Sequence, residues 1–169
     1  MTTLIPAAGP IPSPATDSTP PLITIVVYGT PGPQGSKRHV GDGVMIESSK
    51  KVKPWRKLVQ QAAVAAAIPA CSALGLTEWE TLDAPLIAEM AFTLHRGKTV
   101  KRLHHTTYPD LSKLIRSTED ALTTANIWKD DACVVRYHDP RKLYVGDADP
   151  DALDEPGAVI RIWALEAAA

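Results

Sequence analysis

The sequence predicts a single domain of the α/β (α+β) class, with two main helices packed on one face of a mixed, largely antiparallel sheet. Three observations carry this. The chain has 169 residues, enough for one well-formed core and too few for two ordinary domains. Its apolar fraction of 44% and charged fraction of 22% are those of a globular protein, which excludes a fibrous repeat or disorder throughout. Finally, short runs rich in β-branched residues alternate with two stretches of helical periodicity, and strands interleaved with helices build a layered sandwich.

Residues 1–20, rich in Pro, Thr, Ser and Ala, cannot bury enough surface to offset chain entropy and read as a disordered tail ahead of a domain spanning 21–166. Leu22 to Tyr28 (LITIVVY) is continuously apolar, which predicts a buried strand leaving through the Gly29–Gly35 loop. Pro54 suits the first turn of a helix through WRKLVQQAAVAAAIPAC, with Leu58, Ala62, Ala65 and Ala66 as its apolar stripe and Pro69 as its stop. Pro85 to Leu94 reads as a strand, and the basic, polar stretch from Arg96 to Thr107 as a mobile connection.

The central helix has the clearest pattern. Leu111, Leu114, Ile115, Thr118 and Leu122 recur on one face, while Asp110, Lys113, Ser117 and Asp120 fall on the other. Beyond the Asp130-Asp131 turn, Ala132–Tyr137 and Arg141–Val145 read as two strands meeting around Asp139-Pro140, and Ala158–Leu165 as the last strand.

Charge is segregated although the net charge is only −1. One basic cluster holds Lys37, Arg38, Lys50, Lys51, Lys53, Arg56 and Lys57; a second holds Arg96, Lys98, Lys101 and Arg102, joined by His95, His104 and His105. Acids gather at Asp147, Asp149, Asp151, Asp154 and Glu155. Cys71 and Cys133 show no metal-ligand spacing, which speaks against a structural zinc site or a disulfide framework and for a reducing cytoplasm. No membrane span or signal peptide is expected from composition.

Three constellations could carry chemistry. The loop GTPGPQGSK superficially suggests a phosphate-binding loop, but its glycines are misspaced, Ser36 precedes Lys37, and Pro31 and Pro33 delete backbone donors. No nucleotide cofactor is therefore expected. The segment KKVKPWRK combines cations with Trp55 and could serve as a nucleic-acid footprint, although Trp55 near a helix start is better read as a core anchor. The third is the acidic pair framing the central helix. Asp110 sits at the positive end of the helix dipole and Asp131 at a strand start, and Mg²⁺ takes one or two carboxylates with phosphate and water completing its shell. Equally, Asp110 after Pro109 can be an ordinary N-cap and Asp130-Asp131 a polar turn.

The segment PDLSKLIRSTEDALTTANIWKDDACVV resembles the RusA family of Holliday-junction resolvases, whose motif runs D-x-D-x-L-x-K, then D-A-L, then W-x-D-D before a strand. Asp110, Leu114, Asp120-Ala121-Leu122, Trp128 and Asp130-Asp131 match it without gaps, and YGTPGPQGSKR and KPWR are also similar to phage members. The resemblance implies a homodimeric endonuclease that uses Mg²⁺, or Mn²⁺, to make paired nicks in four-way DNA junctions. It puts Asp110 and Asp131 at the metal-ligand positions, with Asp130 beside them and Arg116 where the family has a functional lysine. The family's second aspartate is Ser112 here. A branched-DNA-binding protein with weak or lost cleavage is thus the alternative. Asp120 lies about 15 Å along the helix from Asp110, so Asp130 is the better substitute for the missing carboxylate. Lys37, Arg38, Lys53, Arg56, Lys101, Arg102 and Lys113 are the residues expected to meet DNA.

Overall fold

A computed structural model describes residues 19–35, 37–39, 45–47 and 50–165, so the proline-rich stretch up to residue 18 lies outside the described residues. In chain order the elements are β1 (Ile23–Tyr28), β2 (Lys37–His39), β3 (Met45–Glu47), α1 (Val52–Leu74), β4 (Leu86–Leu94), α2 (Leu111–Thr124), a 3-10 turn (Asp131–Cys133), β5 (Val134–Tyr137), β6 (Arg141–Tyr144) and β7 (Gly157–Ala164).

Strand β4 is buried at every residue because it has neighbours on both edges and cover on both faces. On one edge it pairs antiparallel with β7, which pairs antiparallel with β1. On the other edge it pairs parallel with both β5 and β6. The sheet is therefore mixed, with two helices on one face as the sequence predicts. β5 and β6 are not a hairpin, however. β5 lies against Leu86–Ala88 and β6 against Ala91–Leu94, two segments of one edge separated where Asp139 takes a φ of 39°. The short hairpin β2–β3 forms a separate sheet that periodicity did not anticipate.

Strand β1 departs from its predicted burial on both faces. Ile23, Ile25 and Val27 enter the core while Val26 and Tyr28 stay exposed, since β1 is the sheet edge and only its helix-facing side is covered. Helix α1 differs in phase and length. Its core-facing residues are Val52, Trp55, Val59, Ala63, Ala67 and Cys71, one position on from the predicted stripe of Ala62 and Ala66. Pro69 does not stop it: the residue lies on the exposed side, where the carbonyl left without an N–H donor can meet water. The helix ends at Gly75 instead, in a left-handed cap whose N–H reaches the carbonyls of Cys71 and Ser72. By length and hydropathy alone α1 could cross a membrane, contrary to the compositional expectation; its packing on β1 and α2 accounts for the apolar face.

The inner face packs Phe92, Met90 and Leu86 of β4 and Ile160 of β7 against Trp55, Leu114 and Leu122 of the helices. The outer face carries charge. Register places Glu89 directly opposite Arg161, and Arg141 on β6 reaches the same carboxylate from the other edge. The acidic 147–151 stretch folds over this pair of arginines: Arg141 donates to Asp149 at 2.9 Å and Asp151 at 2.6 Å, and Arg161 donates to Asp151 at 2.8 Å. The arginines hold the Asp149 and Asp151 carboxyls below their ordinary value. Lowered folded pKa values mean stability that is present above the unfolded value and lost as pH falls through the carboxylate range. Asp151→Asn, which removes the acid shared by both arginines while Glu89 still meets each of them, should cost about 1.5–3 kcal/mol. It should also flatten the loss of stability below about pH 4 in urea unfolding across a pH series. An unchanged acid limb would contradict the network's role.

Candidate functional site

Helix α2 is clamped from two sides. Trp55 of α1, fully buried, donates its indole N–H to the Thr118 hydroxyl at 3.0 Å, so this tryptophan is the core anchor that its position suggested. From the loop after β1, Gly32 accepts a 2.6 Å hydrogen bond from Ser117, and the Gln34 N–H donates to the Lys113 carbonyl at 2.9 Å. Ser117 is consequently buried, not on the solvent face where helical spacing placed it. Only glycine fits at 32, because a Cβ there would come within 2.2 Å of the Lys51 carbonyl oxygen. The Gly/Pro loop is thus a brace for α2, and no helix follows it directly as a phosphate-binding loop requires.

The clamp leaves one long side of α2 open. At its start Asp110 occupies the N-cap with extended backbone, yet its carboxylate makes no capping hydrogen bond and pairs instead with Lys113 at 3.2 Å. Lys142 of β6 holds the approach, donating to the carbonyls of Thr107 and Pro109 at 2.9 Å each. Burial lowers the pKa of this lysine, partly opposed by the charge of Asp110. Ser112 and Arg116 follow, both exposed, and with Gln34, Gly35 and Lys113 they line a cleft of about 540 Å³. Arg116 has no ion-pair partner among the described residues.

The far end of the row is acidic. Glu119 accepts a hydrogen bond from the Tyr137 hydroxyl, and Asp120 is ion-paired with Arg56. The chain returns here because Trp128, buried and bonded to the Thr123 hydroxyl at 2.8 Å, pins the turn, while Lys129 and Ile127 bond to the Leu82 backbone. Asp130 then caps the 3-10 turn by accepting from the Ala132 N–H at 2.9 Å. Desolvation raises the Asp131 carboxyl above its ordinary value, and a hydrogen bond and like charge from Asp130 add to this. Glu119 is raised too, chiefly by burial and further by Asp131 and Asp120.

Sequence-selected residues therefore fall into two charge groups on one side of α2. Asp110 and Lys113 mark its start; Asp120, Asp130 and Asp131 lie at its end, with Arg116 between. No described contact joins Asp110 to Asp131, and no group of three or more His, Cys, Asp and Glu side chains suited to a metal occurs among the described residues. Of the basic candidates, Lys53, Lys101 and Arg102 are exposed, and Arg102 donates to the Thr106 hydroxyl. Arg56 is committed to Asp120. Lys37 and Arg38 lie in β2, their side chains outside the described residues. His105, in the segment expected to be a mobile connection, is buried against the Tyr144 ring at 4.9 Å. Gln34, Tyr137 and Lys142 were not singled out from sequence, because what marks them is contact across the fold.

The family model of endodeoxyribonuclease RusA matches residues 29–162, most of the described domain and the whole of this row. The chain belongs to the RusA endodeoxyribonuclease family. A comparison with curated proteins finds no match.

Three variants separate scaffold from surface. Ser117→Ala leaves the Gly32 carbonyl without its buried donor and should cost about 1–3 kcal/mol in denaturant unfolding. Arg56→Ala should likewise lower stability while leaving the salt slope of DNA binding nearly unchanged, whereas Arg102→Ala should reduce that slope by about 1. Equal slopes for the two would place Arg56 in the footprint after all.

Proposed function

We propose that this RusA-family chain is a divalent-cation-dependent endonuclease that resolves four-way DNA junctions by paired nicks, as a homodimer serving recombination and repair. The observation that carries this reading is the open side of α2: cations beside a cleft at one end and crowded carboxylates at the other, within a family of endodeoxyribonucleases.

The donor set suits Mg²⁺, or Mn²⁺ in its place. All ligand candidates are carboxylate oxygens, the Asp110 carboxylate is not used in capping, and the like charges around Asp131 are what a hard cation would neutralise. Asp131 and the neighbouring Asp130 would hold the ion; Asp110, which the resemblance puts at a ligand position, stands at the opposite end of α2 in this chain. When bound, it activates water and stabilises the leaving oxygen of a phosphodiester. Arg116 supplies permanent positive charge to the phosphate and, unlike a lysine, cannot serve as a proton carrier near neutral pH. Exposed Lys53, Lys101 and Arg102 add sequence-independent attraction to DNA. A two-fold dimer would present two such surfaces to two strands of the branch.

With Mg²⁺ the protein should nick a four-way junction, and EDTA should stop it. Asp110→Asn and Asp131→Asn should each lower the nicking rate by at least about 10²-fold. Junction binding should stay intact or tighten, since each change removes a negative charge near phosphates. Wild-type activity in both variants would sink the assignment.

A second reading, a branched-DNA-binding protein without efficient cleavage, is favoured by one observation: the family's second aspartate is Ser112, and no three-acid group is present among the described residues. Nicking that emerges only in Ser112→Asp would support it; nicking by the wild type would exclude it.

A further inference from the structure

The segment from β4 to α2, residues 96–109, is tied down on β6 as a strap, although its composition reads as a mobile connection. Few contacts hold it. Lys142 donates to the Thr107 and Pro109 carbonyls at 2.9 Å each, the Tyr144 hydroxyl reaches the His104 carbonyl, and Arg96 lies over the Tyr144 ring at 4.2 Å. His105 is the one buried residue of the strap, its ring packed on that of Tyr144.

Burial makes this anchor depend on charge. The Nδ1 atom of His105 is buried and has no hydrogen-bond partner. An imidazolium donates from both nitrogens, so a second proton would leave a charged donor unmet inside the fold. The surrounding charges do not compensate. Lys142 faces the ring from β6 and Arg96 shares the Tyr144 ring with it; the nearby acids are engaged elsewhere, Asp147 with Arg96 at 3.7 Å and Asp110 with Lys113 at 3.2 Å. Burial first, and then the charge of Lys142, hold the imidazole below its ordinary value, against an opposite pull from the backbone at His105 and Thr107.

We propose that His105 is an acid-sensitive latch: as a neutral imidazole it pins the 96–109 strap to Tyr144, and on protonation it leaves that site and frees the strap with its exposed cations, Lys101 and Arg102. The latch stands apart from the action on DNA; only its effect on DNA binding rests on that reading. A group held below its free value stabilises the closed strap fully above about pH 6.5 and progressively less as pH falls below it. Freeing the strap weakens DNA binding, because a loose segment must be ordered again on the duplex. Simple titration acts in the opposite direction: exposed His95 and His104 gain positive charge in acid and strengthen attraction to phosphate.

The test uses the full chain. Backbone hydrogen exchange of the strap, corrected for the intrinsic effect of pH on exchange, is followed without DNA from about pH 8 to about pH 5, and four-way junction affinity is measured in EDTA at fixed salt over the same range. In the wild type, strap opening should rise by up to about tenfold per pH unit below about pH 6.5, and affinity should fall with it. His105→Phe keeps a ring on Tyr144 that takes no proton, so both curves should lose the step. His104→Gln, at the exposed neighbour, should keep it. The imidazole titration of His105 in the wild type, read by NMR, needs no variant and should have its midpoint below about 6.5. Level strap exchange in the wild type, an acid step retained in His105→Phe, or a His105 midpoint at or above about 6.5 overturns the latch. An acid step in exchange with level junction affinity supports the latch and removes Lys101 and Arg102 from the DNA footprint.

Discussion

The clamp on α2 is the constraint on which the rest of the molecule depends. A single helix must bury Leu114, Thr118 and Leu122 against the sheet while holding a polar side open, and packing alone leaves its rotation and height poorly fixed. Directional bonds remove that freedom. The indole of Trp55 sets the height through Thr118, and Ser117 ties the adjacent turn to Gly32. Once these are made, Asp110 is fixed at one end, Trp128 brings the Asp130-Asp131 turn back to the other, and Gln34 is drawn against Lys113.

Charge on the two faces of the sheet follows opposite rules. On the outer face Glu89, Arg141, Arg161, Asp149 and Asp151 satisfy one another, each arginine meeting at least two acids. That network staples the acidic loop across the strands and asks for no ligand. Along α2 the charges are left unbalanced: Arg116 is unpaired among the described residues, Asp131 is crowded by Asp130, and the Gln34 amide lacks a partner. Perturbed, incompletely satisfied groups beside a cleft are a mark of function. Here they coincide with the family match.

Periodicity was enough to locate α2, β4 and β7, because their apolar residues recur at the spacing of a single buried face or a fully buried run. It failed where a choice depended on partners distant in sequence. In α1 the alanine-rich stretch offers several near-equivalent stripes, and Trp55 with Val59 decides among them only once the sheet is present. β5 and β6 look like a hairpin locally and become one broken edge because β4 is long enough to pair with both in turn. The acids and the arginine of the candidate site were legible through the D-x-x-x-L and W-x-D-D spacing. Tyr137, Lys142 and Gln34 were not, since each is defined by a bond across the fold.

The central claim is that the carboxylates along the open side of α2 hold the ion that cleaves DNA. Its most direct measurement is the anomalous scattering of Mn²⁺ in crystals grown with a four-way junction and a non-cleavable phosphate at the cut. The account predicts a peak ligated by carboxylate oxygens of Asp130 and Asp131, at about 2.1 Å. A peak remote from both, with DNA seated on the protein, would contradict it.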